Sequence, residues 1–374
     1  MEKIKPCIYT TEDILEWIFS CNAENDRDLN IWFDFIKKVR PYVKLLLRDN
    51  SDFGTEKNKL LPIQKNYDLS INSITKDERD ALLQLISLSS HIEKELDSRA
   101  ILIFDITPEQ AKYISEKYGI ICHSFSESPR NCPLFLENRD VWCEQNEYYD
   151  GWDRLMRSEV LRPTNSLIFI DRYFLSCDSS LGRKFTEEYG IENLRYTLDR
   201  ILPEQLAGDF HLLLVFDHST LRYNEKIQNF TKVTFEINKM IAEKINRPYR
   251  IIVELLSIAR NEYDAKGKMK KASNNNKTHN RRILSNYYII RTEHSLKFQY
   301  NRINLYSQSL SLDWYASKGF IRNLDSDYMG RYIDSSLEDI RKMIYEFKGK
   351  HNVLFSQNGD INKPISEIVN RLVK

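Results

Sequence analysis

No stretch of this sequence stays apolar for the ~18 to 20 residues that a membrane-spanning helix needs. The opening MEKIKPCIYTTEDILEWIF lacks the small-residue cleavage site of a signal peptide. These two absences predict a cytoplasmic protein with no membrane partner. The six cysteines, Cys7, Cys21, Cys122, Cys132, Cys143 and Cys177, contain no CxxC pair, which argues against a disulfide framework. Cys122, His123, Cys132 and Cys143 match no familiar zinc spacing and are read as packing thiols. A formal net charge of +1 leaves no global attraction for a polyanion, so any such affinity must come from a local patch. No repeat of fixed period is present.

What is there fits a folded α/β protein of two domains, since 374 residues exceed the ~250 to 300 at which single cores stop growing. Residues 1–150 are expected to form an α-rich domain with one small βαβ-like unit, and residues 151–374 a C-terminal α/β domain. In the first, Ile14, Leu15, Trp17, Ile18 and then Ile31, Trp32, Phe35, Ile36, Val39 recur at helical spacing. Asp49 to Ser73, polar and interrupted by Pro62, reads as a loop. The βαβ unit is AILIF, a helix opened by Thr107 and Pro108 and closed by Gly119, and IICHSF.

The second half alternates more firmly. NSLIFIDRYFL, FHLLLVFDHS and YRIIVELL are strands apolar on both faces, separated by helices over Gly182–Leu202 and Lys226–Ile245. That pattern predicts a mostly parallel sheet with helices on both faces. RILSNYYIIRTEHSLKFQY adds one or two strands, and Ser336–Phe347 and Ile365–Val373 read as amphipathic helices.

Two constellations carry chemistry. Asp105, Asp171 and Asp217 follow apolar strands and Glu254 lies within one. Acids at the carboxyl ends of parallel strands can converge on Mg2+ or Mn2+, although Asp also commonly caps a turn. The sharper constellation is His279-Asn280-Arg281-Arg282-Ile283-Leu284-Ser285-Asn286. A histidine can attack phosphorus covalently, and a guanidinium two residues later can hold phosphoryl oxygens bidentately.

This spacing resembles the HxKxxxxD motif of the phospholipase D-like superfamily, with Arg281 at the lysine position and Asn286 at the aspartate position. The strand and helix order from Asn165 to Phe298, beginning with the strand that ends in Asp171, is similar to one half of that fold. The resemblance implies phosphodiester chemistry at His279, Arg281, Asn286 and Asp171 without a metal cofactor. The family uses two such motifs, from one chain or from a dimer, and this chain has one, so catalysis would require a homodimer or an unrelated acid such as His294 or Glu293. Arg281 and Asn286 depart from the motif, and asparagine lacks the aspartate's charge.

Lys266, Lys268, Lys270, Lys271, Lys277, Arg281 and Arg282 fall within seventeen residues, a density suited to a nucleic-acid backbone, although a Lys-rich loop is more often a solvated insertion. Tyr287, Tyr288, Tyr300 and Tyr306 nearby could stack bases, but tyrosines in a strand are more simply explained by ordinary packing. The leading expectation is therefore a protein that binds nucleic acid or another phosphodiester, with His279 as candidate nuclease residue and a protein or dimer contact through the N-terminal domain. Two alternatives stand beside it: a metal-dependent nuclease using Asp171, Asp217 and Glu254, and a binding or regulatory protein that keeps the fold without the chemistry.

Overall fold

A computed structural model describes residues 5–20, 27–46, 53–87, 96, 99–144, 151–156, 161–173, 175, 187–217, 226–258, 261–263, 269–271, 281–293, 299–300, 303–304, 307–317, 329–347, 353–360 and 365–373. Two sheets dominate it. The first is built from β1 (Cys7–Thr10), α1 (Glu12–Ser20), α2 (Arg27–Val39), β2 (Tyr42–Leu45), α3 (Phe53–Tyr67), β3 (Ser70–Ser73), α4 (Lys76–Ile86), β4 (Ala100–Phe104), α5 (Pro108–Tyr118) and β5 (Ile121–Ser124). Its five strands are all parallel, in the order β3-β2-β1-β4-β5.

Alternation along β1 shows how the sheet is covered on both faces. Ile8 joins a cluster with Ile14, Leu15, Trp32 and Ile36 of α1 and α2. Cys7 and Tyr9 join Leu82, Leu85, Ala111 and Ile114 of α4 and α5. Thr107 caps α5, its hydroxyl accepting from the Gln110 amide at 3.2 Å while the Gln110 side chain accepts from the Thr107 amide at 3.0 Å. The expected βαβ unit, β4-α5-β5, is thus part of a larger parallel sheet. The stretch read as a loop from Asp49 is corrected: it holds α3 and β3, and Leu60, Ile63 and Tyr67 of α3 pack on the shared core at helical spacing despite Pro62. Packing of an apolar face outweighs the single proline.

The second sheet takes β6 (Arg139–Cys143), α6 (Gly151–Leu155), β7 (Ser166–Ile170), α7 (Glu187–Ile201), β8 (Phe210–Phe216), α8 (Lys226–Met240) and β9 (Ile251–Ile258). There follow β10 (Asn261–Tyr263), β11 (Met269–Lys271), β12 (Arg282–Ser285), β13 (Tyr288–Thr292), β14 (Gln299–Tyr300), β15 (Ile303–Asn304), β16 (Gln308–Trp314), α9 (Met329–Phe347) and β17 (Val353–Gln357). Strand order is β17-β9-β8-β7-β12-β13-β16-β6. Only β7·β8 and β8·β9 are parallel; the other neighbours are antiparallel. The sheet is therefore mixed: β12 and β13 form a hairpin joined by Asn286 and Tyr287, and β16, β6 and β17 also add as antiparallel strands. Helices α7 and α8 cover one face through Leu194, Leu198, Phe230 and Ile237. Helix α9 covers the other through Ile333, Leu337 and Ile340.

The cluster under α9 also contains Ile8, Ile101 and Ile121 of the first sheet and Ile168, Leu213 and Leu284 of the second, so one core runs through both. With the boundary placed near residue 150, β6 falls in the N-terminal half, yet it pairs with β16 in the second sheet. The passage between the sheets lies between Ser124 and Arg139. Gly119 sits at the junction with φ +62°, and a Cβ there would lie 2.4 Å from the Thr164 carbonyl oxygen. Both the left-handed backbone and the close approach demand glycine. Residues 365–373, expected as helix, form a single 3-10 turn over Ile365–Glu367, because the amides of Val369 and Asn370 are taken by Glu254 instead of a helical ladder.

Candidate functional site

At the open edge of the second sheet, on the α9 face, lies a groove of about 620 Å³ lined by Asp140, Arg281, Arg291, Thr292, Glu293, Ser309, Ser311 and Tyr332. Register explains the convergence. Arg291 of β13 pairs with Ser311 of β16, which pairs with Asp140 of β6, and directly opposed residues in antiparallel strands point to the same face. Arg291 is bound through Nε at 3.0 Å and Nη2 at 2.7 Å to Asp313. Burial raises the pKa of the Asp313 carboxyl and Arg291 works against that rise. Arg281 donates from Nη1 to the Glu293 carbonyl oxygen at 2.8 Å, while its buried Nε has no hydrogen-bond partner among the described residues. Arg282 is 5% exposed and donates to the Tyr332 hydroxyl at 3.2 Å, its guanidinium lying 5.8 Å from that ring.

Among the residues expected to carry chemistry, His279, Lys268 and Lys277 lie outside the described residues, as does His294. Lys270 and Lys271 fall on β11, antiparallel to β10. Arg281 lines the groove, but Asn286 does not: it sits at the other end of β12, five residues and roughly 17 Å of strand away. Asn286 is fully buried, its Oδ1 accepting from the Thr164 hydroxyl at 3.0 Å and from the amides of Asn165 and Ser166 at 3.2 and 3.3 Å. Its Nδ2 donates to Asn165 Oδ1 at 2.9 Å. The side chain thus pins the start of β7 to the β12–β13 turn.

Asp171 lies one residue beyond Ile170, the register partner of Arg282, and so stands at the Arg281 end of the sheet. It is buried, and its Oδ1 accepts the Tyr173 amide at 2.9 Å, the geometry of an Asx turn. Asp217 is held by Arg172 at 2.8 Å, both nearly fully buried. Glu254 aligns with Leu213, four residues before Asp217 on β8. It accepts from the amides of Val369 at 2.7 Å and Asn370 at 2.9 Å and from Gln357 Nε2 at 3.3 Å. Burial lifts its pKa to about 7, outweighing those three donors. Asp171 and Asp217 thus follow the ends of adjacent strands while Glu254 lies further back on its strand, and each acid has its own partners. Among the described residues no group of three His, Cys, Asp or Glu side chains is placed to hold a metal.

Tyr287 and Tyr288 are 1% and 0% exposed, packed in the core and not open for a base to stack on. The Tyr287 hydroxyl donates to the Ala100 carbonyl oxygen and accepts the Ile121 amide at 3.2 Å, tying the two sheets together. Tyr306 lies outside the described residues. Cys122 and Cys132 are buried in different clusters, and burial holds both thiols protonated, Cys132 at about 12. The groove residues Asp140, Arg291, Ser309 and Tyr332 went unread in the sequence. Alternation in DVWC, with Val141 and Cys143 inward, was the available signal for the first of them.

No protein-family model matches the chain, and no curated protein matches it. The fold and the groove define an α/β protein of two sheets, with no helix among the described residues long and apolar enough to cross a membrane.

Proposed function

We propose that this chain binds a phosphodiester, with nucleic acid as the leading ligand class, in the groove beside Arg281. The observation that carries the reading is the buried Nε of Arg281, without a hydrogen-bond partner among the described residues, beside a groove that also holds Arg291 and the hydroxyls of Thr292, Ser309, Ser311 and Tyr332. Guanidinium and hydroxyl donors together suit phosphoryl oxygens. The lysines from Lys266 to Lys277 precede this arginine in sequence and supply further positive charge for a polyanion.

Asn286 is committed to the packing of β7, which supports a binding protein over a complete phospholipase D-like catalyst. Cleavage through His279 is the second reading, favoured by its position two residues before Arg281. It would need a proton donor for the leaving group, from a second copy or from a neighbouring acid.

Fluorescence anisotropy with labelled DNA and RNA oligonucleotides tests binding. Arg281→Ala is expected to weaken it about ten-fold and to lower the salt slope by about one counterion. Unchanged affinity in this variant overturns the groove reading. Cleavage of the same oligonucleotides in chelator, lost in His279→Ala, identifies histidine chemistry, and full retention eliminates it.

A further inference from the structure

Trp142 is 52% exposed on β6, the edge strand of the second sheet. Its neighbours Val141 and Cys143 point into the core under α7 and α8, so Trp142 and Asp140 project from the opposite face. Register places Trp142 directly across from Ser309, which lines the groove. The cross-strand Cβ separation is about 5 Å, so the indole flanks the groove at its open end. The indole Nε1 donates to the carboxylate of Glu144.

We infer that Trp142 is a base-stacking platform and that the ligand is single-stranded nucleic acid laid across β13, β16 and β6; this rests on the proposed phosphodiester reading. From Arg281, just before β12, to Trp142 on β6 is three strand spacings, about 14 Å, longer than a single nucleotide. A phosphate held by Arg281 at the inner end therefore leaves the base of a neighbouring nucleotide to reach the edge strand, where the indole offers a flat apolar face. Asp140 and Glu293, which would repel a row of phosphates, can accept hydrogen bonds from the N–H groups that an unpaired base exposes on its Watson–Crick edge, thymine N3–H included. A duplex keeps its base faces stacked internally and cannot present one to an indole on a sheet surface. The mixed charge of the groove and the exposed indole beside it therefore fit an unpaired nucleotide better than a duplex backbone.

The test uses the full chain with a fluorescein-labelled twelve-nucleotide oligothymidylate and a labelled twenty-base-pair duplex. Trp142→Ala is expected to weaken oligothymidylate binding about ten-fold and leave duplex binding unchanged, while Trp142→Phe stays within about three-fold of wild type. Thermal melting of each variant confirms folding, and Trp142 projects to solvent, so packing is spared. Loss of affinity in Arg281→Ala without any loss in Trp142→Ala overturns the stacking inference and leaves the phosphodiester reading standing. Absence of binding to either probe, with Arg281→Ala also silent, overturns both. A Trp142→Ala variant altered only in sedimentation behaviour assigns the edge to protein contact and overturns the inference as well.

Discussion

The Nε of Arg99, immediately before β4 in the first sheet, donates to the carbonyl oxygen of Asn286 in the second at 3.1 Å. The same guanidinium reaches Asp334 of α9 at 2.6 Å and lies 4.8 Å from the Tyr315 ring, whose hydroxyl donates to the other Asp334 oxygen at 2.7 Å. One buried arginine thereby joins both sheets and α9. Arg99→Ala leaves the mostly buried Asp334 uncompensated and is expected to cost about 3–5 kcal/mol. The double variant Arg99→Met/Asp334→Leu recovers most of that in urea denaturation. Equal losses in the two variants would show that the charge is irrelevant.

Asn286 stands where the resemblance places an aspartate, and Asn286→Asp tests what the position does. Its Oδ1 already serves three donors, but its Nδ2 faces Asn165 Oδ1. A carboxylate there sets acceptor against acceptor in a buried site, at a cost of roughly 2 kcal/mol. Lower stability with no gain in phosphodiester cleavage is the expected outcome; a gain in turnover would contradict the packing role.

Arg282 is buried and makes one hydrogen bond, to Tyr332, with no carboxylate partner among the described residues. An uncompensated buried cation is retained at the expense of stability. Arg282→Met is expected to stabilise the protein by about 1–3 kcal/mol while weakening oligonucleotide binding several-fold, since Tyr332 loses its anchor at the groove. Calorimetry and anisotropy on one preparation check both halves, and a destabilised variant contradicts the idea.

Glu254 makes stability pH-dependent with a defined sign. Its pKa is lifted from the ordinary 4.5 to about 7 in the folded protein, so between those values the folded chain holds a proton that the unfolded chain has released. Stability from this group is therefore present below pH 4.5, falls as pH rises to 7, and levels off above it, by about 3 kcal/mol in all. Unfolding free energies of wild type and Glu254→Gln from pH 4.5 to 8 isolate the effect. A constant difference between the two across that range excludes it.

The groove was half legible. Arg281 announced itself by its neighbours in sequence, because a histidine and a cation two apart beside a polar run form a local pattern. Arg291, Asp140 and Tyr332 did not, since they meet Arg281 only after β13, β16, β6 and α9 assemble from segments distant in the chain. For the aromatics, β-propensity already favours packing over stacking, and the structure agrees for two of them: Tyr287 ties β12 to the first sheet and Tyr288 packs against Trp314 at 5.4 Å.

The sequence by itself determined the elements whose signals are local: the capped helix α5, the doubly apolar strands β4, β7 and β8, and the helices between them, all written in side-chain periodicity and end residues. Tertiary structure alone decided the five-stranded parallel sheet from short strands such as β2 and β3, the antiparallel half of the second sheet, and the separation of Asn286 from Arg281. Strand partners and strand direction depend on which distant segments share a ladder, and four-residue strands carry too few side chains to specify that from within.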